Sequence, residues 1–594
     1  MSPIILKYYY CVYHTMPAAD RISRENEVAV NEILPSRADY YPVLGQLMNE
    51  LGFPKVINNV VEPYNSQTKI DVGTYVATFI HHMLGDVNIK MYRMDHFFED
   101  KALPLLIPWK SDISLDEIND DRAARVLDAL WTADPQKVFS AVVSSAIHVH
   151  SLETNVIHGD TTSKSFYGAY DDQIEEMDVP FITFGHPKDH RPDLKQLIFG
   201  VGTEADGVPV IGEVASGNES DKTLNGRWVR NLRSILKKDA DEFLLYIADS
   251  ALVTGGNLDL TTQENIDIIS RLPGTFKLEE KLKRISLENV KWEPIGKLSE
   301  EKNAATYKVW DTTGEIERRT YRFVVVHSDH KDKRKLKALD KTVKKELNKN
   351  EQKLTKLSKR PFACRKDAEI EAKKYLREHT MLYHDITWGI ESREEKVKRK
   401  KRGRPKNGEF VQTNMDYHLS GTLTLNPEKY QRERELCALF VLITTLMDKK
   451  KHPAKYVLKR YKGQGNVERI FKFIKNPAWV GSFCIKKPER LAALGYVLLM
   501  AALVYTLWER RVRRALANDR VDPIEGLNRT KTKRPTAFAL EMALTPILVQ
   551  TQRIGNRLRI WLPKRLPLNK RRVIELSGFS EKIYEDEWHF VRTD

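Results

Sequence analysis

At 594 residues the chain exceeds what a single hydrophobic core organises, so several domains are expected. Its 97 Lys+Arg outnumber 81 Asp+Glu, giving a formal charge of +16 and a pI near 9.3; this favours a polyanionic partner, either nucleic acid or an anionic membrane surface. The four scattered cysteines, Cys11, Cys364, Cys437 and Cys484, contain no Cys-x2-Cys pair, which argues against a zinc ribbon or a disulfide framework and suits a reducing cytosol.

Residues 1–25 read as a tail with no small-residue cleavage site, and Met16 offers an alternative start. From 26 to 140 apolar residues recur at three and four spacing, as at Val43, Leu44, Leu47 and Leu51 and then at Val76, Phe79, Ile80 and Met83. That period predicts a helical bundle without revealing a recognition helix. Lys137 to Glu153 predicts a further helix. His148, His150 and His158 do not share a helical face with an acidic partner, so they read as core or surface histidines and not as metal ligands.

Two apolar runs end in aspartate: Asn155-Val-Ile-His-Gly-Asp160 and Phe243-Leu-Leu-Tyr-Ile-Ala-Asp249. Between them, Leu197–Gly202 and Val208–Val214 flank Asp206-Gly207, a hairpin signal, and Arg227–Leu236 predicts a basic helix. Strand, hairpin, helix, strand is the order of an RNase H-like core, here residues 141–258. Residues 259–435 are too many for a loop and predict an inserted domain. It holds paired strands at Tyr307–Trp310 and Arg319–His327, a charged helix at Lys331–Lys356 and another at Ala368–His379. Trp310 and Trp292 lie in the same stretch, where a packed role in a core is the ordinary reading. Within Lys396–Lys406, Arg402-Gly-Arg404-Pro resembles an AT-hook core that would follow a minor groove, against a solvated loop.

Cys437–Leu446 predicts a buried strand that returns the chain to the core, residues 436–515. Tyr461 to Lys475 then reads YKGQGNVERIFKFIK. As one helix it would put Tyr461, Gln464, Glu468 and Lys475 in one sector beside an apolar face of Val467, Ile470, Phe471 and Ile474. Gly463 and Gly465 weaken the first turn, so Tyr461 is expected near its start or just before it. Leu491–Trp508 is uncharged and about as long as a membrane span, but its small residues favour a buried core helix. Residues 516–594 read as helical and basic.

The carboxylates Asp160, Asp249 and Glu468, with Tyr461, Gln464 and Lys475, resemble the catalytic set of DDE transposases of bacterial insertion sequences, in the branch marked by Tyr-x2-Arg-x3-Glu-x6-Lys. The resemblance is greatest to the IS-four-like superfamily, IS-sixteen-thirty-four-type group, and runs from about Ala38 to the C-terminus. Gln464 stands where that branch has arginine. The Gly-Asn-x2-Asp element of the group is matched at Gly217, Asn218 and Asp221, whereas His186-Pro187 departs from its usual polar pair.

The resemblance implies an α/β fold: an RNase H-like catalytic core interrupted by a large α+β insertion, with an α-helical N-terminal domain that binds element ends and a helical C-terminal region. It also implies double-stranded DNA as partner, a homodimer in the synaptic complex, and a place in the prokaryotic cytoplasm at the nucleoid. Three clustered carboxylates repel one another until cations neutralise them, so Asp160, Asp249 and Glu468 are expected to hold two Mg²⁺ ions, or Mn²⁺, roughly 4 Å apart. Tyr461, Gln464 and Lys475, with Arg402, Arg404 and Trp310, are the expected DNA contacts. Two other readings stay open: a transposase-derived DNA-binding protein without catalysis, and a membrane-anchored basic protein.

Overall fold

The computed structural model describes residues 32–590 apart from 62–68, 86–92, 167–169, 171–178, 188–190, 289, 300–302, 331–332, 397–412, 476–484, 486, 519, 528–529 and 555–556. The chain forms two compact units. One comprises residues 134–503; the other joins residues up to 133 with those from 504 onward.

The first unit is built on a nine-stranded sheet, with strands β1 (Val156–Phe166), β2 (Lys195–Thr203), β3 (Pro209–Ser216), β4 (Leu245–Ala248), β5 (Asp267–Arg271), β6 (Glu293–Lys297), β7 (Thr306–Ile316), β8 (Arg319–Ser328) and β9 (Leu439–Thr444). Their order across the sheet is β3-β2-β1-β4-β5-β9-β8-β7-β6. β1, β2 and β3 form an antiparallel meander, while β1, β4 and β5 run parallel. The Asp206-Gly207 turn joins β2 to β3 as the sequence predicts, with Gly207 at φ +98°. β4 is buried along its whole length, as an apolar run covered on both faces should be. The insertion, residues 259–435, supplies β5 beside β4 as well as β6, β7 and β8 to this sheet. It also carries a separate three-stranded sheet, dominated by the ribbon His384–Lys396 with Thr413–Leu425, and the helix α1 (Lys333–Ser358).

On one face of the nine-stranded sheet Val156, Leu245, Ile247, Ile269, Leu442 and Val324 form a buried apolar layer. Helix α2 (Ala454–Lys462) covers it with Ala454, Val457 and Leu458. Arg322, fully buried, anchors the approach to α2: it pairs with Asp311 at 2.6 Å and donates to the carbonyls of Leu446 and His452. A charge so enclosed persists only with partners of this kind. The helix Pro488–Leu516 is long and apolar enough to cross a membrane, and 89% of its most apolar window is buried within the protein. That is the pattern of a core helix.

The second unit departs from the expected all-helical N- and C-terminal regions. Helices Tyr41–Glu50, Val72–Met83 and Asp120–Thr132 form as predicted, the latter two capped by Asp71 and Asn119. However, Glu32–Arg37 is a strand, and it pairs with Leu548–Ile554; Arg557–Trp561 and Asp586–Phe590 complete an antiparallel sheet of four. The C-terminal residues therefore supply three of its strands, besides the short pair Ile524–Glu525 and Lys531–Thr532 and the helices Ala537–Leu544 and Leu568–Leu576. The unit closes around Trp508, which donates to Ser577 Oγ at 2.8 Å, and Tyr584, which donates to the Asp39 carbonyl at 2.7 Å.

Candidate active site

Strand register brings the two aspartates together. β1 and β4 pair Val156 with Leu245 and His158 with Ile247; continuing two residues sets Asp160 beside Asp249. β4 and β5 pair Ala248 with Ser270, so one residue further sets Asp249 beside Arg271. Residues level with one another on parallel neighbours face the same way, and adjacent strands lie about 4.8 Å apart. Alternation then dictates which face: Val156, Leu245, Ile247 and Ile269 belong to the apolar layer under α2, and Asp160, Asp249 and Arg271 continue those rows. The same face is apolar beneath the helix and charged beyond it, at Asp160 within β1, at Asp249 just past β4 and at Arg271, the last residue of β5.

Asp249 also caps the short turn after β4, accepting from the Ala251 amide at 3.0 Å, and its carbonyl accepts from Ser270 Oγ at 2.7 Å. Asp160 accepts from the Thr161 amide at 2.7 Å. Thr161 Oγ1 donates in turn to Asp221 at 2.5 Å, which brings the Gly217-Asn218-Asp221 element next to β1.

The segment 461–475 is two helices. α2 ends at Lys462 and α3 (Gly465–Lys475) begins three residues on. Between them the chain makes tight turns, the Gln464 amide donating to the Tyr461 carbonyl at 3.3 Å and the Asn466 amide to the Gly463 carbonyl at 3.1 Å, and Gly463 packs so closely that a Cβ there would stand 2.8 Å from His158 Cε1. Tyr461 therefore reaches the site from the end of α2 and not from the face that carries Glu468, which corrects the single-helix expectation.

α3 lies along β1 and β2 and reaches the turn that joins β2 to β3. Asn466 donates to the Ala205 carbonyl at 2.7 Å near its start, and Lys164 donates to the Ile474 carbonyl at 3.2 Å near its end. Its apolar face, Val467, Ile470, Phe471 and Ile474, is buried as predicted. Glu468 is exposed on α3, the helix that packs along β1, the strand that carries Asp160. Lys475, seven residues on, returns to the same side of α3.

Electrostatics unite these groups. Burial raises the pKa of the half-buried Tyr461 phenol; Arg271 opposes the rise, and Asp249, Asp160 and Glu468 add to it. Tyr246, fully enclosed, is raised well above its ordinary value by burial and then by Asp249 and Asp160, and its hydroxyl donates to Asn225 at 2.7 Å. Burial, and then Arg460, lowers His158 to about 4, so the imidazole is neutral beside the site.

Other expected residues fall differently. The Gln464 amide nitrogen is buried without a hydrogen-bond partner. Trp310 is on β7, four strands from β4 and so roughly 19 Å across the sheet, and the structure does not bring it to the carboxylates. The ring of Trp292 lies edge-on to His327 and under the Lys308 ammonium at 5.0 Å. Arg402 and Arg404 lie outside the described residues. Arg271 is the group that sequence reading missed, although Asn265-Ile-Asp-Ile-Ile-Ser-Arg271 is a third apolar run ending in a charge. Among the described residues it makes no ion pair, and its guanidinium lies 5.8 Å from the Phe440 ring centre.

Carboxylate oxygens on two strands and a helix are the donor chemistry of a hard divalent cation. Among the described residues no group of three His, Cys, Asp or Glu side chains converges closely enough to hold one. Asp160 and Asp249 are neighbours by register, and the three carboxylates do not converge.

Residues 201–504, just over half of the chain, match the family model described as a transposase DDE domain. Residues 33–144 match a domain of unknown function, DUF4277. The first match begins beyond Asp160, whose place in the site rests on strand register. No curated protein matches the chain. Among solved structures, the piggyBac transposase synaptic complex with hairpin DNA aligns at 10% identity over 85% of this chain and 79% of that one, with a TM-score of 0.32. The Mos1 transposase paired-end complex with left transposon end aligns at 12% identity over 35% and 60%, with a TM-score of 0.14. At these scores neither superposition adds to the strand order.

Proposed function

The chain belongs to the transposase DDE domain family, and from that premise we propose that it binds the terminal inverted repeats of its element, hydrolyses the phosphodiester at the ends and transfers the freed 3′-ends to target DNA. The β3-β2-β1-β4-β5 order supports an RNase H-like core. The observation that carries the reading is the parallel register of β1 and β4, which sets Asp160 and Asp249 side by side, with Asp249 and the Glu468 helix inside the family match.

In this account Asp160, Asp249 and Glu468 hold the Mg²⁺ or Mn²⁺ ions. When bound, these activate water or a 3′-hydroxyl and stabilise the leaving oxygen. Tyr461, Lys475 and Arg271 grip the phosphates, so that attack is in line. Positioning and charge stabilisation supply the rate, with no covalent enzyme intermediate. Arg271 provides the guanidinium that Gln464 does not, and a planar fork suits a phosphate better than an amide. The reading extends to the IS-four-like superfamily and its IS-sixteen-thirty-four-type group, a homodimeric synaptic complex and a nucleoid-associated prokaryotic protein. Inverted repeats bounded by short direct duplications around the coding region would support it.

The test is nicking of duplexes that carry the element's ends. Asp160→Asn, Asp249→Asn and Glu468→Gln should each abolish Mg²⁺-dependent cleavage while end binding persists. A variant that cuts at the wild-type rate removes its residue from the set. The buried, unpartnered Gln464 amide and the non-convergent carboxylates favour a second reading, a DNA-binding derivative without catalysis. That protein would retard end DNA and never nick it.

A further inference from the structure

The insertion holds a feature that the proposed chemistry does not use. Helix α1 buries Leu339, Asn350 and Leu354 against the rest of the insertion, with Leu336, Val343 and Leu347 half-buried on the same side. At about 100° per residue these fall within one sector. The opposite sector, an arc of roughly 140°, carries Lys337, Lys341, Lys344, Lys345, Lys349 and Lys356, all exposed. Among the described residues none of the six makes an ion pair.

The helix's three acidic residues, Asp340, Glu346 and Glu351, lie outside that arc. Two of them hold structure. Asp340 accepts from the Tyr430 hydroxyl at 2.6 Å, and Glu346 accepts from the Leu382 and Tyr383 amides and pairs with His384 at 2.9 Å.

A solvated helix ordinarily alternates charge so that residues four apart attract; here Lys337, Lys341, Lys345 and Lys349 stack like charges at that spacing, which destabilises the isolated helix. A polyanion laid along the stripe reverses the sign of that interaction. We infer that this face of α1 docks on the phosphate backbone of duplex DNA, independently of sequence. From Lys337 to Lys356 the stripe is about 28 Å long, close to one helical turn of a B-form duplex. A membrane surface fits less well: binding one requires apolar side chains exposed beside the charge, and α1 exposes no large hydrophobic residue. The inference rests on the proposal that the protein handles DNA, and it adds a surface remote in sequence from the carboxylates.

The probe is a 30-base-pair duplex unrelated to the element's ends, titrated by fluorescence anisotropy from 50 to 300 mM KCl. The variant combines Lys337→Gln, Lys341→Gln, Lys344→Gln, Lys345→Gln and Lys349→Gln. Glutamine keeps helix propensity, and circular dichroism checks the fold. Each lost phosphate contact removes about 0.9 from the slope of log affinity against log salt, so the slope should fall by about 4 and affinity at 100 mM by at least about 100-fold. The matching five-fold Lys→Arg variant should bind within about threefold of wild type. A glutamine variant with wild-type slope and affinity would overturn the inference. So would a variant that loses only its binding to vesicles containing phosphatidylserine. Nicking by the wild-type protein is scored separately: its absence would defeat the transposase reading, while the salt slope would still decide the stripe.

Discussion

Two β structures within residues 134–503 are built on opposite principles. In β1, β4 and β5 successive residues are buried on both faces; β4 has no exposed position. In the ribbon His384–Lys396 and Thr413–Leu425, thirteen residue pairs run in register, yet along the second strand only Leu419 is buried. A one-residue slip in the first sheet would turn the Asp160 and Asp249 rows inside out, whereas in the ribbon it would cost mostly hydrogen bonds. The buried sheet can therefore fix carboxylates in space, and the exposed insertion is suited to presenting charge.

The contrast can be broken at several points. The largest effect is expected from Asp249→Asn, which should slow end nicking by at least about 10³-fold, roughly 4 kcal/mol of transition-state stabilisation, in a single-turnover assay. Next, Ile247→Ala, in the row that leads to Asp249, should destabilise the sheet by about 3 kcal/mol, with faster hydrogen exchange along Leu245–Ala248. Leu354→Ala in α1 should leave exchange in those strands unchanged. Arg271→Gln should lower the nicking rate about 30-fold, near 2 kcal/mol, with Arg271→Lys between it and wild type.

The smallest effect concerns the second unit. Burial raises Glu541 to about 7, while hydrogen bonds from Tyr505 and Tyr40 oppose the rise. An acid whose folded pKa exceeds its unfolded value stabilises fully below the unfolded value, near 4.5, and loses that contribution as pH rises through 7. Glu541→Gln should therefore raise the melting temperature relative to wild type at pH 8, by an amount worth about 1–2 kcal/mol, and leave it nearly unchanged at pH 4.5. Paired melts at the two pH values read the difference.

Part of the candidate site was legible from apolar runs that end in charge, which mark the ends of β4 and β5, although β1 runs on to Phe166 past Asp160. Asp160 and Asp249 were found that way, and Arg271 carried the same mark but went unread, since its relevance depends on parallel register. The Asp206-Gly207 hairpin was legible from its turn residues. The α2–α3 break was signalled by Gly463 and Gly465, whereas the packing of Gly463 against His158 is a tertiary contact. The strand Glu32–Arg37 was hidden by Pro35, which an edge strand tolerates. Leu548–Ile554 and Arg557–Trp561 are short and dense in arginine and glutamine, so helical composition outweighed their alternation.

The central claim is that Asp160, Asp249 and Glu468 share one cation-binding place. Fe²⁺ substituted for Mg²⁺ generates hydroxyl radicals where it is bound, and these cut the nearby backbone. With ascorbate and peroxide, the full chain should yield fragments ending near residues 160, 249 and 468 together, all suppressed by excess Mg²⁺ and by Asp249→Asn. Cleavage near 160 and 249 with none near 468, or cuts that Mg²⁺ does not suppress, would contradict the claim.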